Sequence, residues 1–159
     1  MSQENASGQK QMVRFKSEKL GEIEYDETQV ISFSEGMLGF PDYTRYVLVQ
    51  SEKGPFVWLQ SLDEPTLAFV VMDPWLYLPE YEPDIPDADV EELEFRAPYN
   101  MSVFCVVTVP PNPEEATINL MGPVVVNLDT GQARQVAILN SEYTTRHRLV
   151  NPASSQQEG

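Results

Sequence analysis

Pro55-Phe56-Val57-Trp58-Leu59-Gln60-Ser61-Leu62-Asp63-Glu64-Pro65-Thr66-Leu67-Ala68-Phe69-Val70-Val71-Met72-Asp73-Pro74 holds two apolar runs around a short polar turn. Successive side chains of a strand point to opposite faces. Phe56 and Trp58 therefore face one way and Val57 and Leu59 the other, and in the second run Leu67, Phe69 and Val71 oppose Ala68, Val70 and Met72. Both faces are apolar, so the hairpin cannot lie on a half-solvated sheet. It belongs in the middle of a barrel or a two-layer sheet, covered on both sides.

The flanks supply strands for such a structure. Upstream, Val13 and Phe15 alternate with charges, as do Ile23 and Tyr25 across a turn at Leu20-Gly21, which reads as a half-exposed hairpin. Val30-Ile31-Ser32-Phe33 is a short strand leading into Ser34-Glu35-Gly36-Met37-Leu38-Gly39-Phe40-Pro41. Two glycines and a proline so close together mark an ordered loop, and Met37, Leu38 and Phe40 are too apolar to leave in water. One helical turn is expected at 42–45, then a strand over 46–50. Downstream, 75–81 should be an excursion with its aromatics packed down and its acids outward. Residues 87–94 read as a two-turn helix with Asp87 as N-cap and Val90 and Leu93 inward. Strands are expected at 102–109, 116–121, 124–128 and 134–139. About nine strands with frequent turns predict a mainly β fold, a small antiparallel barrel-like single domain with one or two short helices. Residues 1–10 and 151–159 are polar and expected to be flexible, leaving 11–150 as the folded unit.

The chain has 159 residues, 42% of them apolar, and a net charge of -15. No apolar run is long enough to cross a bilayer and no export signal opens the chain, so a cytoplasmic protein without a membrane role is expected. Between Lys53 and Arg96 there is no basic residue, while eleven acids occupy the interval. That excess argues against direct nucleic-acid binding, which requires the opposite sign. It leaves two readings open, a solvated surface that keeps the protein in solution or a docking face for a basic protein.

The usual marks of catalysis are missing from the sequence. One histidine and one cysteine stand far apart, so a zinc site is not expected. Cys105, between Phe104 and Val106, reads as a buried, inert thiol. The Gly36/Gly39 spacing has no Lys-Ser/Thr after it and Glu35 beside it, which argues against a phosphate cradle. The acids at 84–92 lack the central glycine and spacing of a calcium loop. His147 has no nucleophile elbow to serve. No cofactor is expected, and the chain is read as a non-enzyme.

Several stretches, in order, carry a resemblance. Ile31-Ser32-Phe33-Ser34-Glu35-Gly36-Met37-Leu38-Gly39-Phe40, Phe56-Val57-Trp58-Leu59-Gln60-Ser61-Leu62-Asp63 and Leu67-Ala68-Phe69-Val70-Val71 resemble the bacterial flagellar assembly factor family, FliW. Thr117-Ile118-Asn119-Leu120, Gly122-Pro123-Val124-Val125-Val126-Asn127 and Arg134-Gln135-Val136 with Tyr143 fit the same pattern. The resemblance implies a β-barrel-like, non-enzymatic regulator that binds the RNA-binding translational repressor CsrA, relieves its silencing of flagellin synthesis, and also binds flagellin. It implies a partner switch coupling flagellin export to translation, with the protein monomeric when free. Phe56, Trp58, Phe69, Val70 and Leu120 are expected in the core. Glu80, Glu82, Asp84, Asp87, Asp89, Glu91 and Glu92 are the candidate contacts for the repressor, with Met37, Leu38 and Phe40 as a second possible contact. Two further readings are a dedicated flagellin chaperone without a regulatory role and a carboxylate-dependent hydrolase, which would require a concave site with convergent acids.

Overall fold

The hairpin at 56–72 is the centre of the sheet. The structure, a computed structural model, describes residues 12–52, 54–140 and 142–149. The terminal segments expected to be flexible, 1–10 and 151–159, lie outside the described residues, as do residues 11 and 150 at the edges of the expected folded unit. In chain order the strands are β1 (Met12–Ser17), β2 (Gly21–Asp26), β3 (Ile31–Phe33), β4 (Arg45–Gln50), β5 (Val57–Ser61) and β6 (Ala68–Met72). Two short helices follow, α1 (Pro74–Tyr77) and α2 (Asp87–Glu92). The chain then returns to strand in β7 (Met101–Thr108), β8 (Thr117–Ile118), β9 (Val124–Asn127), β10 (Gln132–Gln135) and β11 (His147–Arg148).

Seven of these strands close a barrel in the order β3-β4-β5-β6-β7-β9-β10, with β10 returning to β3. Closure removes the open edges that invite aggregation. Strand β7 is long enough to divide one edge, its first half pairing with β9 and its end with β8, which carries β11 outward. The expected barrel is therefore present, with one departure from an all-antiparallel sheet: β10 pairs with β3 in parallel, Gln132 opposite Ser32 and Ala133 opposite Phe33.

Alternation along the central hairpin sorts the core into layers. Inside the barrel, Leu59, Val71, Tyr46, Phe33, Met37 and Val126 pack together, with Val57 and Phe69 against them. Outside, Met72, Cys105, Val107 and Leu120 form a second layer roofed by Tyr81, with Phe56 and Val70 beside it. A third layer sets Leu93 on Val103, Val125 and Val136. Both faces of the hairpin are thus covered. Of the expected core residues only Leu120 is fully buried, whereas Phe56, Trp58, Phe69 and Val70 are half-buried. Trp58 is the largest difference. It lines a trough with Leu20, Ile23 and Val49 under the β1–β2 hairpin, which covers it only in part.

That hairpin is fastened by polar groups. Ser17 Oγ donates to Gln60 Oε1 at 2.6 Å and the Glu18 N–H donates to the Pro65 carbonyl. Gln60, with no exposed surface, spends its own N–H groups on the Ser61 and Leu67 carbonyls, so a buried amide is satisfied rather than costly.

Several local expectations give way to side-chain hydrogen bonds. No helical turn forms at 42–45, because the Asp63 carboxylate accepts from the Thr44 and Arg45 N–H groups and holds that stretch extended into β4. The strand expected at 116–121 stops after Ile118, where Asn119 Oδ1 accepts from Met121 and Gly122 N–H and turns the chain. The strand expected at 134–139 ends at Gln135, and the C-terminal region around His147 is tied into the sheet as β11. Cys105 is a buried free thiol, and burial pushes its pKa up to about 12, which keeps it protonated and unreactive.

Candidate partner-binding surface

The loop after β3 is built around two left-handed glycines, Gly36 at φ +69° and Gly39 at φ +90°. At Gly36 no other residue fits, since a Cβ there would lie 2.4 Å from the Phe40 carbonyl oxygen and 2.7 Å from Pro41 Cα. The loop closes on itself through a bridge between Met37 and Phe40, with the Phe40 N–H donating to the Met37 carbonyl at 2.7 Å. Met37 turns inward and is 2% exposed in the barrel core, while Leu38 turns outward and is 82% exposed. Of these three candidate contacts, Met37 therefore has no surface to offer in this structure. Leu38 and Phe40 both reach the surface, Phe40 37% exposed and edge-on against Phe69, and Met37 is the anchor beneath them.

The acidic stretch is held as firmly. Asp73 caps α1 through the Trp75 N–H, and Pro74 occupies its first turn. The Trp75 indole N–H donates to the Tyr81 carbonyl at 2.7 Å, and the Tyr81 hydroxyl donates to the Leu120 carbonyl at 2.6 Å. Tyr81 is packed down as expected, but Trp75 is 38% exposed and Leu76 65%. Tyr143 Oη accepts from the Glu82 N–H and Asn140 Oδ1 from the Asp84 N–H, which fixes the backbone while Glu80, Glu82 and Asp84 point into solvent. The α2 helix starts from Pro86, whose carbonyl accepts from Asp89 and Val90 N–H, so Asp87 is the first helical residue and not the N-cap. Leu93 is buried as expected, whereas Val90 is 39% exposed, because only one side of so short a helix meets the barrel.

Two neighbouring β10 residues bring loop and helix together. The Arg134 guanidinium reaches Asp89 Oδ1 at 2.9 Å through Nε and Glu35 Oε1 at 3.3 Å through Nη2. Gln135 Oε1 accepts from the Leu38 N–H at 2.8 Å, and its Nε2 donates to the Gly122 carbonyl. Asp89 is therefore half-buried and paired, unlike Asp87, Glu91 and Glu92, which are exposed. No hydrogen bond or ion pair among those described joins Glu80, Glu82 or Asp84 to the loop. Sequence reading missed Arg134 as the link. In the sequence it stands only as a base between Ala133 and Gln135, with nothing local to name its partners.

Among the described residues no group of three or more His, Cys, Asp and Glu is placed to hold a metal ion, and no helix is long and apolar enough to cross a membrane.

The sequence model of the family described as FliW protein matches residues 14–149. The flagellar assembly factor FliW of Treponema denticola is 36% identical over 138 residues, covering 87% of this chain and 94% of that protein. That of Thermotoga neapolitana is 39% identical over 135 residues, covering 84% and 91%. Among solved structures, a crystal structure of the flagellar assembly factor FliW superposes with a TM-score of 0.81 at 33% identity, covering 87% of this chain and 98% of that one.

Proposed function

This chain belongs to the FliW family of flagellar assembly factors, and from that premise we propose that it binds the translational repressor CsrA and antagonises its repression of flagellin synthesis. In the same reading it also binds flagellin, so that export of flagellin frees the factor to capture the repressor in the cytoplasm. It acts by binding, without catalysis and without contacting nucleic acid or membrane, and is monomeric when free. The observation that carries the reading is the charge. A net charge of -15, with Glu80, Glu82, Asp84, Asp87, Glu91 and Glu92 exposed on a firmly held stretch, suits a partner whose work on RNA requires positive charge.

Charge matching mainly speeds encounter and rejects wrong partners, while affinity depends on a few apolar anchors. Leu38 is the candidate anchor, presented on a loop with little freedom left to lose on binding. The test is capture of purified CsrA by the immobilised protein at low and high salt, with a flagellin-leader reporter as readout of repression. Retention that weakens as salt rises, with relief of the reporter, is expected. No retention at low salt overturns the reading. The apolar exposure of Leu38 and Leu76 also favours a second reading, a flagellin chaperone alone, which predicts a complex with monomeric flagellin and no effect on repressor binding to RNA.

A further inference from the structure

We propose that the β1–β2 hairpin is a flap that lifts from the closed barrel as a unit, clasped at its turn and hinged where β2 ends, and that lifting uncovers the outer face of β4 and β5 around Trp58. The two strands form a sheet of their own and join no ladder of the barrel. Val13 with Tyr25 and Phe15 with Ile23 stand opposite one another on the inward side of the hairpin. None of the four enters the three core layers, and Val13, Phe15 and Ile23 are only half-buried. Beneath them the trough lined by Leu20, Ile23, Val49 and Trp58 leaves about 410 Å³ unfilled. Burial of apolar surface is what welds an element to its core, so an element seated over a hollow opens well before the barrel does.

The turn is held by hydrogen bonds. Ser17 Oγ donates to Gln60 Oε1, and the Glu18 N–H donates to the Pro65 carbonyl at 3.0 Å. Gln60 stays with the barrel when the flap lifts, because its own N–H groups are committed to the Ser61 and Leu67 carbonyls. Letting go at the turn therefore breaks those bonds and no strand pairing. The opposite end is the hinge. Asp26 Oδ1 accepts from the Thr28 N–H and Gln29 Oε1 accepts from the Asp26 N–H, a capping box that knots the chain into a single 3-10 turn at Glu27–Gln29. Tyr25 and Asp26 are buried there, and Glu27 pairs with Arg45 of β4 at 3.3 Å, so the knot belongs to the barrel side. A two-stranded hairpin on its own in water is marginally stable, so a lifted flap also frays and its amides exchange.

Hydrogen exchange of the full chain under native conditions tests the flap. Amides of 13–17 and 21–25 should exchange as one group, at least about tenfold faster than those of β5 and β6. Ser17→Ala should speed that group by about a further tenfold and leave β5 and β6 unchanged. Ser17 Oγ also accepts from the Lys19 and Leu20 N–H groups, so this variant loosens the turn as well as the clasp. Glu18→Pro separates the two, since proline at the first position of the turn stiffens the turn while removing the donor to Pro65. A clasped flap exchanges faster in Glu18→Pro, whereas a hairpin that frays from its turn exchanges more slowly. A thiol reagent gives a second readout. Val47, 2% exposed, lies opposite Gln60 on the covered face, and Val47→Cys should be labelled at the rate of hairpin opening while Cys105, buried in the barrel's second layer, stays unlabelled. Hairpin amides that exchange only together with β5 and β6, unchanged or slower exchange in Glu18→Pro, or labelling of Val47→Cys no faster than that of Cys105 would each overturn the flap.

Discussion

Two buried tyrosines differ in one respect that decides how each tolerates loss of its hydroxyl. Tyr46 Oη has no hydrogen-bond partner, whereas the Tyr81 hydroxyl donates to the Leu120 carbonyl. Tyr46→Phe should therefore be neutral or stabilising by up to about 1 kcal/mol at pH 7, while Tyr81→Phe strands a buried carbonyl and should cost about 1–3 kcal/mol, both read from urea unfolding. Burial, with the Asp63 charge second, pushes the Tyr46 pKa up to about 12, and burial raises that of Tyr81 further. An unfolded tyrosine ionises near pH 10. Stability is thus fully present below about pH 10 and is lost as pH rises toward the folded values, by up to about 1.4 kcal/mol per group per pH unit. Tyr46→Phe should flatten the loss between pH 10 and 12, and unchanged alkaline unfolding of that variant would contradict the assignment. Glu94 offers a third test. Among the described residues it is the one non-glycine at positive φ, 56°, so Glu94→Gly should raise stability by about 1 kcal/mol in a thermal melt.

At the scale of elements, the loop and α2 are held by different means. The loop depends on backbone fit, so Gly36→Ala should cost more than about 2 kcal/mol and release Leu38 from its presented position, while Gly39→Ala, which meets no neighbouring atom, should cost only the dihedral penalty of about 1 kcal/mol. The helix depends on Leu93 beneath it and Arg134 beside it. Two turns are too few to persist without such packing. Arg134→Leu leaves Asp89, with 16% of its side chain exposed, unpaired, and hydrogen exchange of the 87–93 amides should accelerate with little change in the barrel strands. The elements themselves were largely legible, because alternation along β5–β6 and punctuation by proline and glycine are local signals. The helix start was displaced because Pro86 supplies its carbonyl to the first turn, so Asp87 is not required as a cap. The Arg134 link was not legible, since one cation in a strand carries no periodicity and its partners lie 45 and 99 residues away in sequence.

For the molecule as a whole, charge and topology have separate consequences. A net charge of -15 makes the fold repel itself, so raising sodium chloride from about 20 mM to 0.5 M should raise the melting temperature while slowing association with a basic partner by roughly tenfold or more. A fall in both, or a rise in both, would separate the acidic stretch from partner encounter. The closed barrel was foreseeable from two apolar faces on one hairpin, but not the strand that closes it. The β3 and β10 strands have three and four residues, too short to announce a partner, and they meet roughly a hundred positions apart. That late seam bears on synthesis. On the ribosome the first six strands emerge long before Gln132 does, and the Arg134 and Gln135 contacts that seat loop and helix cannot exist until β10 has cleared the exit tunnel. A nascent or prematurely ended chain therefore cannot assemble this surface before its barrel is complete.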